Sequence, residues 1–407
     1  MKANEPQDHV PEMTQNPLLA EEPSPALAKF LQRPTHELAQ ATRPAFLENP
    51  ESPVQWSQSH WEQLEAERKD IFDMSAVAAQ FDHASLLKDG YAVLRGVMTP
   101  TAIEAWTAAL QYGQQLNDRL LTSDWNEIDW YGLGRRPPTK SLTETEINNA
   151  IGGSQRVPQA SDDAGVKTLR QHSVFAEYFP SGHVRFLMNV LTHPQMLDLQ
   201  RMVLASDDIY FDHNQLLNRP AGYPGGAWHS HGIGGGADNC GTASLSEYEK
   251  QPNFNLTLCY PQGFSADEDG GLKLIRGSHL FRDPTGCRAP TDEEMRDGWL
   301  AGRMHPVTSE PLTIEHLSLP PGSVICCLSH AAHAVAPKAL GRKTRWCSIY
   351  CYKKPDSVRD YVLPPHSVPP VWALKAHRGE LPEVLTTLLQ HSYDRALTGG
   401  RTKSSEI

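Results

Sequence analysis

The second half of the chain is a succession of short strand-like runs, and this pattern restricts the fold more than any other feature. Each run is rich in β-branched or aromatic residues and is bounded by Gly, Pro, Asn or Asp. The runs are Ile209–Leu217, Phe254–Tyr260, Leu272–Ile275, Val324–Leu328 and Trp346–Tyr352. Short strands with long connections, placed after a helical region, are typical of an antiparallel double-sheet core. The sequence therefore predicts a mainly β fold with flanking helices.

Helical patterns lie before these runs. A short strand at Tyr91–Val97 is followed by apolar residues at helical spacing, for which Thr101 and Glu104 form a capping-box signature. A second helix is predicted after Thr192–Pro194, where a proline stands at the first helical position. The segment 124–167 is expected to be a loop that carries aromatic residues, and Glu380–Leu397 has a C-terminal helical pattern.

Prolines are dense in the first part of the chain, where they disfavour both helices and sheets. We divide the chain into a proline-rich N-terminal extension over residues 1–80, a β domain with helical elements over 81–375, and a C-terminal helix and tail over 376–407. No internal repeat is visible.

Composition restricts the class of protein and of partner. Hydrophobic residues make up 39% and charged residues 21%, as in soluble globular proteins, and no run of 18 apolar residues occurs. The first residues lack the pattern of a signal peptide, so we expect a cytoplasmic protein. The net charge of −11 argues against general binding to nucleic acid or anionic membrane, which leaves a small molecule as the expected partner. The sequence does not determine the oligomeric state.

The seven cysteines have irregular spacings, and their odd number does not fit a complete disulfide framework. Cys326 and Cys327 are adjacent, and Cys347 and Cys351 lie in an apolar run. We expect buried, reduced thiols.

The block from Arg219 to Gly241 is rich in glycine and contains the sequence Trp-His-Ser-His at 228–231. Glycine permits sharp turns and close approach of the backbone to a ligand. His229 and His231 are two residues apart, so on an extended segment both rings point to the same face and can reach one metal ion. The two histidines are candidate metal ligands; surface residues beside glycines are the alternative.

A second group of candidates lies about a hundred residues further along the chain. His333 follows the apolar run Val324–Leu328, and Arg345 precedes the strand pattern that starts at Trp346. We expect the histidine and the arginine to lie on neighbouring strands of a hairpin and to converge in the mouth of a barrel, as a metal ligand and an anion anchor. The alternatives are a core histidine and a surface salt bridge.

The order of these motifs resembles the phytanoyl-CoA dioxygenase family, including its ectoine hydroxylase branch. The resemblance covers roughly Leu86 to Lys354. It is carried by the following segments: Tyr91–Gly96, His193–Leu199, Trp228–His231, Arg276–His279, Pro321–Ser323 and His333–Arg345.

The resemblance implies a double-stranded β-helix, also called a jelly-roll or cupin-like fold, that holds Fe(II) and uses 2-oxoglutarate and O2. It assigns His229, His231 and His333 to the metal and Arg345 to the far carboxylate of 2-oxoglutarate, a role that suits the planar donors of a guanidinium. Asn218 matches a co-substrate-binding amide, with a turn residue as the alternative, and His279 matches an architectural turn. No catalytic residue beyond the metal site is assigned.

Two positions depart from the family pattern. His231 stands where the family has a carboxylate ligand, and Val335 stands where the family often has a serine that contacts 2-oxoglutarate. The leading hypothesis is a mononuclear non-haem iron oxygenase, a 2-oxoglutarate-dependent dioxygenase that hydroxylates or otherwise oxidises a small metabolite. The alternatives are a three-histidine iron dioxygenase or oxidase without 2-oxoglutarate, and a catalytically inactive jelly-roll binding protein.

Overall fold

The computed structural model describes residues 70–108, 110, 154–159, 162–173, 190–230, 252, 254–265, 269–281, 287–328, 330–354 and 387–388. Its strands, in chain order, are β1 (Tyr91–Leu94), β2 (Ser154–Gln159), β3 (Asp162–Ser173), β4 (Tyr210–Arg219), β5 (Gly226–His229), β6 (Phe254–Tyr260), β7 (Leu272–Ile275), β8 (Ile314–His316), β9 (Ser323–Leu328), β10 (His333–Val335) and β11 (Arg345–Lys353).

The strands form two sheets, and their pairing follows a simple rule. The large sheet has the order β1-β9-β6-β11-β4-β3-β2, and the small sheet has the order β5-β10-β7-β8. From β4 onward, the first strand pairs with the last: β4 with β11, β5 with β10, β6 with β9, and β7 with β8, all antiparallel. This nested pairing is a long two-stranded ribbon rolled into two facing sheets. The fold is therefore a mainly β double-stranded β-helix, as expected.

Helices flank the β core on the outer faces of both sheets. They are α1 (Met74–Gln80), α2 (His83–Asp89), α3 (100–108), α4 (Pro194–Leu204) and α5 (Asp292–Asp297), with a short 3-10 helix at Ser278–Leu280. Asp73 and Asp82 cap α1 and α2 by accepting hydrogen bonds from backbone N–H groups of the first turn. Ile71, Phe72 and Val77 are fully or almost fully buried, so these residues belong to the core.

Three apolar layers follow from the alternation of side chains along each strand. In β9, Val324, Cys326 and Leu328 pack towards the helices on the outer face of the large sheet. Ile325 and Cys327 point the other way, between the two sheets. A third cluster, which includes Trp228, covers the outer face of the small sheet.

The same alternation explains the cysteines. Adjacent Cys326 and Cys327 point to opposite faces of β9, and the six described cysteines are all buried and form no disulfide with one another. Burial raises the pKa of both thiols to about 12, which keeps them protonated. The expectation of reduced, buried thiols is confirmed for these six, whereas Cys240 lies outside the described residues.

The predicted strand runs are confirmed, with Phe254–Tyr260 and Leu272–Ile275 matching β6 and β7 at both ends. The helix after Thr192 is also confirmed, and His193 caps it by accepting a hydrogen bond from the backbone N–H of Gln195. The division into three segments at residues 81 and 376 stays a prediction. Of the C-terminal helical pattern, the structure describes only residues 387–388, which are helical.

Three expectations were wrong in detail. The segment 124–167 contains β2 and the first half of β3. These strands pair with each other, and β3 also pairs with β4, so both extend the large sheet. Their sequences are mostly polar and give no apolar alternation that would reveal them.

The first long helix is capped by Thr99, whose hydroxyl oxygen accepts a hydrogen bond from the backbone N–H of Ala102, and not by Thr101. Finally, β10 and β11 are not hairpin neighbours, because β10 belongs to the small sheet and β11 to the large sheet.

No helix among the described residues combines the length and the apolar character needed to cross a membrane.

Candidate active site

Two of the candidate ligands lie side by side on the small sheet. His229 ends β5 and His333 begins β10, and the two are directly opposite each other in the antiparallel pairing. Directly opposite residues share a face, so both imidazoles point between the sheets. Their ring centroids are 4.3 Å apart with an interplanar angle of 57°. The strand register therefore brings together two residues that are 104 positions apart in sequence.

Each imidazole is held by a backbone carbonyl two residues before it. The Nδ1 atom of His229 is 3.0 Å from the carbonyl oxygen of Ala227, and the Nδ1 atom of His333 is 2.8 Å from that of Ala331. A carbonyl oxygen only accepts, so in both rings Nδ1 carries a proton, and in the neutral imidazole the lone pair is therefore on Nε2. This tautomer and the fixed orientation suit coordination of a metal ion through Nε2.

His231 lies outside the described residues, two positions after His229, which is the last residue of β5. Within the described part of the chain, no three His, Cys, Asp or Glu side chains form a group that could hold a metal ion. The two histidines fit as part of a metal site, and the role of His231 as third ligand stays a prediction.

A pair of arginines lies across the cavity on the large sheet. Arg345 begins β11 and is directly opposite Arg219, the last residue of β4. The Arg345 side chain is 5% exposed, and its guanidinium lies 5.3 Å from the ring centroid of Tyr260. The guanidinium of Arg219 lies 4.6 Å from the ring centroid of Tyr223. Two cations are thus held next to each other by strand register and aromatic rings.

The electrostatics of this pair favour a bound anion. Burial lowers the pKa of Arg219, and the like charge of Arg345 lowers it further. The buried Nε atom of Arg345 has no hydrogen-bond partner among the described residues. Adjacent cations repel each other, and a carboxylate between them would relieve this repulsion and supply hydrogen-bond acceptors.

Both pairs border one cavity of about 720 Å³. Its volume lies within the range of small-molecule sites. Its apolar wall comes from the inward-facing residues of both sheets. Among the described residues that line it, three are arginines, two are histidines and none is Asp or Glu. The arginines are Arg219, Arg288 and Arg345. The cavity is therefore apolar along its walls and cationic at the described charged positions.

The remaining candidates are placed as follows. Asn218 lies in β4 opposite Trp346, and its side chain is outside the described set. Val335 lines the cavity from β10, on the same face as His333. His279 is fully buried away from the cavity, and its Nε2 is 2.8 Å from the carbonyl oxygen of Leu87. The roles assigned to Asn218, Val335 and His279 from the sequence stay predictions.

Polar contacts behind the small sheet hold β5 in place. Trp228 points away from the cavity, and its Nε1 donates to Oδ1 of Asp292 at 2.7 Å. Lys273 on β7 forms a close salt bridge with the same carboxylate, and its Nζ lies 5.2 Å from the Trp228 ring centroid. These contacts fix the position of Trp228, and they therefore also restrain the neighbouring metal-ligand candidate His229.

Sequence reasoning missed Arg219 and Arg288. Arg219 precedes Pro220 and resembles an ordinary turn residue, and only the pairing of β4 with β11 places it beside Arg345. Arg288 lies in a segment without a periodic pattern, and only its contact with β5 brings it to the cavity.

Comparisons by sequence give no match: no family model matches the chain, and no curated protein matches it. The resemblance to the phytanoyl-CoA dioxygenase family therefore stays a prediction.

Comparisons by structure find many solved structures. AviO1 from Streptomyces viridochromogenes Tue57 is 16% identical over 71% of this chain and 98% of its own, with a TM-score of 0.42. SnoK, a non-heme alpha ketoglutarate dependent carbocyclase from nogalamycin biosynthesis, is 13% identical over 75% of this chain and 92% of its own, with a TM-score of 0.42. EctD from S. alaskensis, solved with 2-oxoglutarate and 5-hydroxyectoine, is 14% identical over 76% of this chain and 79% of its own, with a TM-score of 0.39. These activities belong to the named proteins. The fold of the present chain is assigned from its own strand pairing.

Proposed function

We propose that this chain is a mononuclear non-haem iron oxygenase that uses Fe(II), 2-oxoglutarate and O2 to oxidise a small-molecule metabolite. One observation carries the proposal: two imidazoles on the small sheet face two guanidinium groups on the large sheet across a single cavity. The order of sequence motifs supports a relationship to the phytanoyl-CoA dioxygenase family, with His231 in place of the usual aspartate.

The metal would be held by His229 and His333, with His231 as the third ligand. The carbonyl oxygens of Ala227 and Ala331 hold the neutral rings of His229 and His333 in the tautomer whose Nε2 lone pair can bind the metal. When bound, Fe(II) supplies the redox chemistry that allows O2 to attack an unreactive C–H bond.

The co-substrate would be oriented by the arginine pair. Arg345 binds the far carboxylate of 2-oxoglutarate through the planar edge of its guanidinium, and Arg219 neutralises the same group from the neighbouring strand. Asn218 precedes Arg219 and is the candidate for a further hydrogen bond. The apolar walls exclude water around these contacts, which strengthens them.

An iron enzyme without 2-oxoglutarate is the second candidate, and Val335 is the observation that favours it. This side chain lines the cavity at the position where the family often has a hydroxyl group. The arginine pair has no evident use in such an enzyme, and for this reason we rank the 2-oxoglutarate-dependent reaction first.

The test is a titration of the anaerobic Fe(II) protein with 2-oxoglutarate, followed by isothermal calorimetry and by the visible absorption of the iron chelate. We expect saturable binding that requires the metal. Arg345→Gln should weaken it by about 10- to 150-fold, because a hydrogen bond to a charged group contributes about 1.5–3 kcal/mol. On addition of O2, 2-oxoglutarate should be converted to succinate.

Two variants serve as controls. Arg342→Gln removes an exposed arginine three residues before Arg345 and should leave the affinity unchanged, whereas His333→Ala should abolish binding of the metal. Iron binding without 2-oxoglutarate binding would establish the second candidate. A chain that binds no Fe(II) would overturn the oxygenase proposal.

A further inference from the structure

A short segment on the outer side of β5 closes one edge of the small sheet. Its residue Ala289 pairs with Trp228: the N–H of Trp228 donates to the carbonyl of Ala289 at 2.8 Å, and the N–H of Ala289 donates back at 3.3 Å. This reciprocal exchange is the hydrogen-bonded type of antiparallel pair. Both side chains belong to the apolar cluster behind the sheet.

This register fixes the neighbour of the metal-ligand candidate. In an antiparallel pair the residue numbers run in opposite directions, so Arg288 stands opposite His229 and Pro290 stands opposite Ala227. These are non-hydrogen-bonded positions, which suit a proline because it has no N–H. Their side chains share the cavity face, and all four residues line the cavity. His229 is thus flanked by Arg288 on one side and by His333 on the other.

The chain is bent sharply to reach this arrangement. Cys287, directly before Arg288, has a backbone φ of 52°, which is the left-handed region that residues other than glycine rarely adopt. Such a conformation costs on the order of 1 kcal/mol and persists only where the surroundings enforce it. The Cys287 side chain is buried in the cluster behind the small sheet, and the next residue, Arg288, lines the cavity.

Arg288 differs from the two arginines of the large sheet. It is exposed at the mouth of the cavity, and it has no hydrogen bond or ion pair among the described residues. The nearest acidic residue in sequence, Asp292, lies behind the sheet and is bound by Lys273 and Trp228. The mouth therefore carries a positive charge that no described carboxylate neutralises.

We propose that Arg288 binds an oxyanion of the substrate, so that the enzyme acts on small molecules with an apolar body and a carboxylate or phosphate group. The inference rests on the proposed function: the arginine pair of the large sheet holds the co-substrate, and Arg288 holds the substrate beside the metal ligand His229. The apolar walls, which include Leu256, Leu258 and Ile349, accommodate the rest of the molecule.

The test uses the full chain loaded with Ni(II), which does not turn over, and saturated with 2-oxoglutarate. Three probes of similar size are titrated by isothermal calorimetry: phenylacetate, phenyl phosphate and the neutral phenylacetamide. We expect at least one anion to bind about tenfold more tightly than the amide, in line with the contribution of a charged hydrogen bond. The anion that is preferred identifies the group as carboxylate or phosphate.

Variants then assign the effect to Arg288. Arg288→Gln should reduce anion affinity to that of the amide and leave 2-oxoglutarate affinity unchanged, whereas Arg288→Lys should keep the preference for anions. Arg296→Gln, an exposed arginine on α5 outside the cavity lining, should bind all probes as the unmodified protein does.

The inference is overturned if both anions bind no better than the amide, or if Arg288→Gln binds them as well as the unmodified protein. Failure of the proposed function would be seen separately, in the preceding step, as a lack of Ni(II) or 2-oxoglutarate binding.

Discussion

Histidines occupy two contrasting environments in this protein. His229 and His333 have Nδ1 atoms that donate to backbone carbonyls and rings that face the cavity. His279 and His330 lie with ring centroids 5.6 Å apart, and the Nδ1 of His279 and the Nε2 of His330 are buried without a hydrogen-bond partner among the described residues. The first pair is suited to bind a cation, and the second pair resists protonation.

Burial makes the second pair a source of acid sensitivity. It lowers the pKa of His279 to about 4 and that of His330 to about 3, from an ordinary value of 6.5. Between about pH 6.5 and pH 4 the unfolded chain therefore binds more protons than the folded chain, so the free energy of unfolding falls as the pH falls.

We expect His330→Leu to reduce this pH dependence. The loss of one buried titrating group should lessen the slope of the free energy of unfolding against pH by about 1.4 kcal/mol per pH unit between about pH 6.5 and pH 4. Urea denaturation of the metal-free protein at about pH 7, pH 6 and pH 5 measures it. A change in stability that is equal at every pH would mean that only packing had changed, and this result would contradict the prediction.

At the scale of the element, β5 shows how a short strand can be held in position. It is four residues long, and it pairs with β10 on one side and with Ala289 on the other. Behind it, hydrogen bonds from Lys273 and Trp228 hold the pKa of Asp292 below its usual value, although burial alone would raise it. The strand is fixed by these contacts and not by its own length.

Removal of this carboxylate should therefore weaken the small sheet. We expect Asp292→Ala to lower the free energy of unfolding by about 3 kcal/mol, because the buried ammonium group of Lys273 loses its partner. Addition of Lys273→Met should restore most of the loss, since it removes the uncompensated charge. Urea denaturation of the two single variants and the double variant measures the coupling.

The matched control is Asp297→Ala at the exposed end of the same helix, which should change stability by no more than about 0.5 kcal/mol. If the effects of Asp292→Ala and Lys273→Met simply add, the two residues are not coupled and the prediction is wrong.

At the scale of the whole molecule, the candidate site joins the two sheets. The imidazoles come from the small sheet and the arginine pair comes from the large sheet, while the space between them is lined by apolar residues of both. A ligand that contacts both groups would therefore link the sheets and stabilise the fold by an amount that depends on its concentration.

We expect Ni(II) and 2-oxoglutarate together to raise the thermal midpoint of unfolding. At about one hundred times its dissociation constant, each ligand should add about 2.7 kcal/mol. Differential scanning fluorimetry measures the shift. The rise in midpoint caused by 2-oxoglutarate should disappear in Arg345→Gln. The rises caused by Ni(II) and by 2-oxoglutarate should both disappear in His333→Ala. An increment from 2-oxoglutarate that persists in Arg345→Gln would contradict the assigned role of this arginine.

Much of the β core is visible in the sequence because its strands are buried and apolar. Phe254–Tyr260 is buried at every position, and such a run is recognised without knowledge of its partners. The strands β5, β8 and β10 are three or four residues long and were not predicted. The strand β7 is equally short but is buried at every position, whereas β5, β8 and β10 are only partly buried and show no continuous apolar run.

The sequence by itself determined the residue types of the site and the β class of the fold, because both follow from local composition and spacing. Only the tertiary structure decided which of these residues meet. Strand register sets His229 beside His333, Arg219 beside Arg345, and Arg288 beside His229, and register depends on pairing between segments that are far apart in the chain. Local sequence carries no record of such pairing, so Arg219 and Arg288, unlike Arg345, could not be assigned to the site without the tertiary structure.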